Sequence, residues 1–292
     1  SADNQGSNTE LWKSDGTTGG TTLLKNIYPD LAKSNIDLIT ALGNKVLFEA
    51  TDGITGVNPW VSDGTPAGTF LPKDIYPGFS SNIYEMEATS TEVFFNANDA
   101  TSGNELWKTD GTTLGTVMVK DIYPGATGSD PEWLANVNDT LFFAAYDATN
   151  GQELWKSDGT SGGTVLVKDI FPGSSTSSIV YTMNANGKLI CRAQESFATN
   201  REPWISDGTT AGTMLIKNVN PGSGSDCGPF VYSNNVTFFN ADDGTSGYEL
   251  WKTDGTSGGT SLVKNINSGS ASSSPSSLTD VNATLFFSAN DG

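Results

Sequence analysis

Short runs of β-branched and aromatic residues recur along this chain, and clusters of Asn, Asp, Gly and Pro separate them. Examples are the run Thr-Leu-Phe-Phe-Ser at 284–288 and the run Thr-Ser-Leu-Val-Lys at 260–264. Residues of the first kind favour β-strands, and those of the second kind favour tight turns. The pattern therefore predicts an all-β protein with short strands.

A longer phrase organises these runs into repeats. It contains Trp, then Asp-Gly-Thr, two variable residues and Gly-Thr, and it occurs six times in the 292 residues. Its tryptophans are Trp12, Trp60, Trp107, Trp155, Trp204 and Trp251. They lie 48, 47, 48, 49 and 47 residues apart, and a fixed period of this length is typical of repeat architectures. We therefore predict six units, each with four strands, A to D.

Strands C and D of each unit are predicted to form a hairpin. Strand C ends at Asp-Gly-Thr and strand D begins at Gly-Thr, and glycine provides the positive φ that a tight turn requires. The antiparallel register then places a glutamate of strand C opposite a lysine of strand D, a favourable cross-strand pair. The predicted pairs are Glu10 with Lys25, Glu105 with Lys120, Glu153 with Lys168, Glu202 with Lys217 and Glu249 with Lys264. Asn58 opposite Lys73 departs from this pattern.

Four antiparallel strands repeated six times predict a six-bladed β-propeller that occupies residues 1–292 as one domain. The sequence begins shortly before a strand C and ends after a strand B. We therefore expect one blade to combine the N-terminal strands C and D with the C-terminal strands A and B, which would close the ring. Details of the repeat recur after about half of the chain, as at Pro59 and Pro203, which indicates that a three-blade unit was duplicated.

The sequence Glu-Leu-Trp-Lys-(Ser or Thr)-Asp-Gly-Thr begins at Glu10, Glu105, Glu153 and Glu249. Through this motif the chain resembles the bacterial ELWxxDGT repeat family, whose members are secreted and surface proteins. The resemblance covers essentially the whole chain. It implies an extracellular propeller, and it implies no established catalytic chemistry.

The chain is acidic, with 15 Lys and Arg against 33 Asp and Glu and a net charge of −18. This charge repels nucleic-acid phosphates and anionic lipids, so we expect no nucleic-acid partner. Because the sequence has no long apolar run and no charged-then-apolar N-terminal segment, we also expect neither membrane insertion nor a signal peptide. Cys191 and Cys227 could form one disulfide or remain small buried apolar residues.

The sequence contains no histidine, which excludes Ser-His-Asp and Cys-His catalysis and histidine metal sites. Paired carboxylates could still hydrolyse glycosidic bonds, but the acidic residues recur in nearly every unit and no unit has an exceptional pair. The Asp-Gly-Thr turns loosely resemble the Asp-box turns of sialidase propellers, but Arg192 and Arg201 are the only arginines. The fifth unit diverges most, with Cys191, Arg192, Glu195 and Arg201, and a unique site would be expected there.

Two sets of aspartates recur in the units. Those of the Asp-Gly-Thr turns are expected to accept backbone hydrogen bonds within their own turns. Those of the B–C loops lie among other side-chain oxygens, which suits calcium, a hard cation that takes six to eight oxygen ligands. The candidate calcium ligands are Asp99, Asp147 and Asp243. Calcium is therefore the one candidate cofactor, and a core of this size requires none for stability.

The D–A loops place aromatic residues at equivalent positions, Tyr28, Tyr76, Tyr123 and Phe171. In a propeller these loops share a face with the B–C loops, so we expect this face to bind the ligand. The alternative is that the rings cap the core ahead of a proline turn. The repeated tryptophans are expected to pack between blades.

The opposite face carries candidate modification sites. Asn138, Asn235 and Asn282 each begin an Asn-X-Thr sequon at a predicted A–B turn. Glycosylation at these positions would apply in a eukaryotic source. The same sequence is also a good hairpin turn.

These observations favour a non-enzymatic recognition or scaffold module of a secreted or cell-surface protein, which binds a glycan or an extracellular protein through one propeller face. A lectin would have several equivalent weak sites whose combined avidity matters. One alternative is a carboxylate-based glycoside hydrolase or lyase. Another is a purely structural component of a surface assembly.

Overall fold

The computed structural model describes residues 9–29, 33–197 and 201–292. These residues form 23 β-strands, and they contain no helix that could cross a membrane. The prediction of an all-β protein is therefore confirmed. The strands form seven sheets that follow one another along the chain.

The first three sheets lie in the N-terminal half of the chain. Sheet 1 consists of β1 (Leu11–Lys13) and β2 (Thr22–Lys25). Sheet 2 consists of β3 (Asp37–Leu42), β4 (Lys45–Thr51) and β5 (Val57–Ser62). Sheet 3 consists of β6 (Met86–Ala88), β7 (Val93–Asn98), β8 (Asn104–Thr109) and β9 (Val117–Lys120).

The other four sheets follow in order. Sheet 4 consists of β10 (Glu132–Val137), β11 (Thr140–Asp147), β12 (Gly151–Ser157) and β13 (Val165–Lys168). Sheet 5 consists of β14 (Val180–Ala185), β15 (Lys188–Ala193), β16 (Glu202–Ser206) and β17 (Met214–Leu215). Sheet 6 consists of β18 (Val231–Ser233), β19 (Val236–Asp242), β20 (Tyr248–Thr253) and β21 (Ser261–Lys264). Sheet 7 consists of β22 (Ser276–Val281) and β23 (Thr284–Ser288).

Apart from the sequence repeats, the chain divides into two larger compact units, and these are the ones called the first unit and the second unit below. Of the described residues, the first contains those up to 134 and 159–161, and the second contains 135–158 and those from 162 onward. Within each unit the core lies between consecutive sheets. In the second unit, for example, Phe142 of sheet 4 belongs to the same buried cluster as Leu189 of sheet 5.

The repeated tryptophans of strand C belong to these intersheet cores. Five of them, in sheets 2 to 6, are only 3–7% exposed. Trp204 packs in the cluster shared by sheets 4 and 5, and Trp251 packs in the cluster shared by sheets 5 and 6. The expected core role is confirmed for these five, whereas Trp12 of sheet 1 is 59% exposed.

Two prolines shorten the strand D pairing that the repeat predicts. Sheets 3 to 6 have four strands each, but sheet 2 has three, with Phe70 bridged to Val61 beyond them. In sheet 5, strand β17 has two residues. Both sheets carry proline, Pro59 or Pro203, where the other strands C have leucine. Proline has no N–H group to donate to the neighbouring strand, so the pairing ends early.

The predicted Glu–Lys pairs are wrong, because a β-bulge shifts the register between strands C and D by one residue. In sheet 4 the register follows the prediction where Trp155 faces Leu166, but Lys168 then faces Leu154 and not Glu153. The same shift occurs in sheets 1, 3 and 6. Successive residues of a strand point to opposite faces, so the shift separates the two charged side chains.

The blade that would combine both ends of the chain is not formed among the described residues. Strands β1 and β2 make one two-stranded sheet, and β22 and β23 make another. The prediction of four strands is therefore wrong for these two sheets as the structure has them. The number of blades and the closure of the ring stay predictions.

Candidate functional site

The aspartate of the Asp-Gly-Thr phrase accepts hydrogen bonds from its own turn, as predicted. In sheet 5, Asp207 Oδ1 accepts the Thr209 hydroxyl at 2.7 Å and the Thr209 backbone N–H at 2.8 Å. These hydrogen bonds lower the pKa of Asp207, and the charge of Lys188 lowers it further. The same pair of bonds forms at Asp15, Asp63, Asp110 and Asp254. These carboxylates stabilise turns.

The other residues of the phrase complete this turn. Gly208 has a φ of 85°, a conformation that favours glycine. The Thr209 hydroxyl oxygen accepts the Gly212 N–H at 2.9 Å, and the Thr213 hydroxyl donates to the Thr209 carbonyl at 2.7 Å. A Cβ on Gly212 would lie 2.0 Å from Asp207 Oδ1, so the second glycine is required by the aspartate. The recurring phrase therefore encodes a turn.

The glutamate that precedes Leu-Trp is buried and binds the D–A loop of its own sheet. In sheet 4, Glu153 accepts the backbone N–H groups of Ile170 at 2.7 Å and Phe171 at 3.2 Å. Burial outweighs these hydrogen bonds and raises the pKa of Glu153 to about 8, and that of Glu105 in sheet 3 to about 7. Equivalent contacts are made by Glu10, Glu105, Glu202 and Glu249. The glutamates thus position loops.

Three of the five lysines predicted to face these glutamates reach the next sheet instead. In the second unit, Lys168 of sheet 4 donates to the carbonyl of Thr213 in sheet 5 at 2.7 Å. Its amine also lies 5.5 Å from the ring centroid of Trp204, within the range of a cation–π interaction. Equivalent contacts are made by Lys25, Lys73 and Lys217. Each lysine therefore joins one strand D to the following turn.

The aromatic residues of the D–A loops pack against other loop residues. The four predicted ligand-binding residues are half-buried or buried: Tyr28, Tyr76, Tyr123 and Phe171. A Cβ on Gly53 would lie 2.2 Å from the Tyr28 ring, so this ring covers the B–C loop of sheet 2. The Tyr76 ring contacts Phe79 in a tilted arrangement, and the Phe171 ring contacts Phe197 edge to face, with ring centroids 5.0 and 4.8 Å apart. Ligand binding by these rings stays a prediction.

The candidate calcium ligands accept hydrogen bonds within their own loops. Asp99 Oδ1 accepts the N–H groups of Thr101 at 2.9 Å and Ser102 at 2.8 Å. Asp147 and Asp243 accept the corresponding N–H groups of their loops. No cluster of three or more acidic or cysteine side chains suited to a metal ion occurs in residues 9–29, 33–197 and 201–292. Calcium binding stays a prediction.

The three sequon asparagines are exposed at A–B turns, where the sequence placed them. Asn138, Asn235 and Asn282 have φ values of 53°, 62° and 49°. The side chain of Asn138 donates to the Gly187 carbonyl at 3.4 Å, and that of Asn235 accepts the Tyr232 hydroxyl at 3.0 Å. The positive φ values account for asparagine at these three turn positions, and glycosylation stays a prediction.

Both cysteines are buried free thiols in the structure, so the disulfide considered above is not formed. Cys191 is 1% exposed and Cys227 is fully buried. Burial raises the pKa of Cys191 to about 12 and also raises that of Cys227. The two residues therefore pack as small apolar groups.

Clefts open between consecutive sheets at the end where the Asp-Gly-Thr turns lie, and the sequence did not predict them. In the second unit, the cleft between sheets 4 and 5 (the 4/5 cleft) measures about 150 Å³. The cleft between sheets 5 and 6 (the 5/6 cleft) measures about 230 Å³, and Lys188, Tyr232, Asn235 and Asp254 line it. A signal was present, because Ile205 stands where four other units have lysine after tryptophan.

No protein-family model and no curated protein matches the sequence. In fold the chain is similar to a prolyl endopeptidase, with a TM-score of 0.55, 9% identity and coverage of 87% of this chain and 39% of the other. A puromycin hydrolase has a TM-score of 0.51 and 14% identity, with coverage of 94% of this chain and 45% of the other. Oligopeptidase B from Leishmania major has a TM-score of 0.51 and 13% identity, with coverage of 86% of this chain and 36% of the other. The chain thus spans less than half the length of these three proteins. The similarity concerns the fold alone, which is propeller-like.

Proposed function

We propose that this chain is a non-enzymatic recognition module of a secreted or cell-surface protein and that it binds a glycan. The observation that supports this most is the contrast between the repeated acids and the 5/6 cleft. The repeated carboxylates already accept the hydrogen bonds of their own turns and loops, as Asp207 and Glu153 do. The 5/6 cleft instead brings together an aromatic ring, amides and opposite charges on an apolar floor, which suits a sugar.

The extracellular location follows from the resemblance of the repeat and from the acidic charge. A net charge of −18 favours solubility and disfavours nucleic acid and anionic membranes as partners. The proposal includes a ring of six blades in which sheets 1 and 7 contribute to one blade. Phe142 faces Lys156 in sheet 4, and the equivalent residues in this blade would be Phe286 and Lys13.

A protein partner is the second candidate, and a different cleft favours it for a chain whose ring is open, because ring closure would bury Trp12 as its five counterparts are buried. In the first unit, the cleft between sheets 1 and 2 measures about 410 Å³, and Trp12 and Ile39 line it. These two side chains are 59% and 60% exposed. Exposed apolar patches often mark contacts with another protein.

A glycan array tests the proposal when it is probed with the purified chain once in calcium and once in chelator. We expect binding in both conditions, because the 5/6 cleft contains no metal ligand set. Binding that the chelator abolishes would favour the loops of Asp99, Asp147 and Asp243 instead. No binding in either condition would contradict the glycan proposal and favour the protein partner.

An engineered cysteine pair tests the closed ring. We expect Lys13→Cys combined with Phe286→Cys to form a disulfide within one chain under mild oxidation, because directly opposed residues of paired strands lie within disulfide reach. Each single variant is the control. A double variant that stays reduced, or that links only different chains, would contradict the closure.

A further inference from the structure

In sheets 1 and 4, the lysine after the repeated tryptophan reaches the Asp-Gly-Thr turn of the next sheet. In sheet 4 this residue is Lys156, and its amine donates to the carbonyl of Gly208 in the next Asp-Gly-Thr turn at 2.8 Å. Lys13 makes the same contact with Gly64 at 2.9 Å in the first unit. The bridge spans the cleft with a flexible side chain and satisfies a carbonyl.

Sheet 5 lacks this lysine and has Ile205 in its place. The shorter side chain lies against the turn of sheet 6, since a Cβ on Gly255 would be 2.8 Å from Ile205 Cδ1. Ile205 and Ile190, which are 9% and 2% exposed, then form an apolar floor. The 5/6 cleft measures about 230 Å³, against about 150 Å³ for the bridged 4/5 cleft and about 410 Å³ for the bridged cleft between sheets 1 and 2.

The wall of the 5/6 cleft contains an aromatic ring that the repeat does not require. Tyr232 is half-buried, and the equivalent residue of sheet 3 is Ala88. The Tyr232 hydroxyl donates to Asn235 Oδ1 at 3.0 Å, which fixes the orientation of the ring. An oriented aromatic face beside polar groups can bind the apolar face of a sugar ring.

Hydrogen-bond donors and acceptors surround this apolar floor. Asp254 uses Oδ1 to accept the N–H and hydroxyl of Thr256, and its exposed carboxylate lines the cleft. Lys188 and Asn186 are exposed on the opposite side and supply donors. A carboxylate and an amine on facing sides suit the vicinal hydroxyls of a sugar, which both donate and accept.

We propose that the 5/6 cleft is a saccharide site that holds one sugar ring, with its apolar face on Tyr232 and its hydroxyls toward Asp254, Lys188 and Asn186. The inference rests on the proposed glycan-binding function and names its site. The cleft is smaller than the roughly 300–1,000 Å³ of sites for drug-sized ligands, which limits it to a single ring. Ile205 gives this cleft an apolar floor and leaves it without the lysine bridge that Lys13 and Lys156 make.

The equivalent position in the first unit provides a matched control. Val61 of sheet 2 stands where Ile205 stands in sheet 5, and it packs toward Gly111 of sheet 3. There, however, Lys45 covers the turn, with its Nζ 3.3 Å from where a Cβ on Gly111 would lie. Val61→Lys therefore makes the equivalent substitution beside a turn that Lys45 already covers, away from the 5/6 cleft.

The test is Ile205→Lys, which restores the residue that the repeat has at this position. We expect the new amine to bridge to the Gly255 carbonyl, fill the cleft and weaken saccharide binding about tenfold or more, while Val61→Lys leaves binding unchanged. The probes are methyl glycosides of hexoses and N-acetylhexosamines, with affinity measured by calorimetry and by NMR titration. Tyr232→Ala should weaken binding similarly and serves if Ile205→Lys does not fold.

The outcomes separate the site from the function. Loss of binding in Ile205→Lys and Tyr232→Ala, with wild-type melting temperatures, would support the 5/6 cleft. Glycoside binding that both variants retain would overturn this site and leave the glycan-binding function standing. Absence of any binding by the wild-type chain, to the glycosides and on the array, would overturn both.

Discussion

Sheets 4 and 7 share the strand B sequence Thr-Leu-Phe-Phe, yet they bury it to opposite extents. Phe142 and Phe143 of sheet 4 are 3% and 0% exposed, whereas Phe286 and Phe287 of sheet 7 are 58% and 37% exposed. Strand β11 pairs with β12 from Leu141 to Asp147, while β23 is the last strand of its sheet. The phenylalanines of strand B are therefore buried only when strand C and the neighbouring sheet cover them. The apolar sequence of the strand does not by itself determine their burial.

The largest expected effect is the loss of a buried ring. Phe143→Ala should lower the free energy of unfolding by about 3–5 kcal/mol, because it leaves a cavity in a fully buried position. Denaturant unfolding measures this. The matched variant is Phe287→Ala, which should have a comparable effect if the ring closes as proposed. An effect below about 0.5 kcal/mol would show that sheet 7 stays as open in solution as it is in the structure.

The second largest effect concerns the buried glutamate of strand C, which sheet 4 has and sheet 7 lacks. Glu153→Ala in sheet 4 should lower the free energy of unfolding by about 2–4 kcal/mol, because the N–H groups of Ile170 and Phe171 lose their acceptor in a buried site. The exposed Glu195→Ala is the control and should change stability little. Equal melting temperatures for the two variants would contradict the structural role of Glu153.

The third effect is a pH dependence that arises in the complete sheets. The folded pKa values of Glu153 and Glu105, about 8 and about 7, exceed the unfolded value of about 4.3. The folded chain therefore binds more protons between these values, and its stability should fall as pH rises from 5 to 8. We expect a decrease of about 3–4 kcal/mol from pH 6 to pH 8, of which Glu153 contributes the larger part. Melting curves measure it, and a slope that is unchanged in Glu153→Gln would exclude Glu153 as its source.

The smallest effect concerns the A–B turns of the same two sheets. Ala283 in sheet 7 has a φ of 63°, and Asp139 in sheet 4 has a φ of 61°. Ala283→Gly should raise the free energy of unfolding by about 1 kcal/mol, because glycine adopts this conformation without steric strain. Asp139→Gly should have a similar or smaller effect. A decrease in stability for Ala283→Gly, measured by denaturant unfolding, would contradict the strain at this turn.

The repeat made much of the architecture predictable because its phrase is local. The hydrogen bonds of Asp207 join residues two positions apart, so turn chemistry alone identified its role. The spacing of tryptophans located the strands C, and the short apolar runs located their neighbours. The same pattern could not show that Phe286 is exposed, since exposure depends on which strand lies beside it.

Other features were unpredictable because they depend on backbone irregularities. The bulge at Leu154 and Trp155 shifts the pairing of Lys168 by one residue. Lys168 therefore contacts the Thr213 carbonyl of sheet 5 and not the expected Glu153. Strand A contains bulky residues at positive φ, such as Trp133 at 58° and Tyr181 at 57°, which no sequence rule assigns to strands. The floor of the 5/6 cleft includes Ile205, whose departure from the repeat was visible but whose lysine counterparts had no known role.

The contact between Lys168 and the turn of sheet 5 has an evolutionary consequence. The amine belongs to strand D of one repeat, while the Thr213 carbonyl belongs to the turn before strand D of the next repeat and the Trp204 ring belongs to its strand C. Each repeat therefore encodes both halves of the joint, one for the preceding copy and one for the following copy. A tandem gene duplication would create a complementary interface at once, without a compensating mutation. Selection could then alter single joints, such as the one at Ile205, while the rest preserved the array.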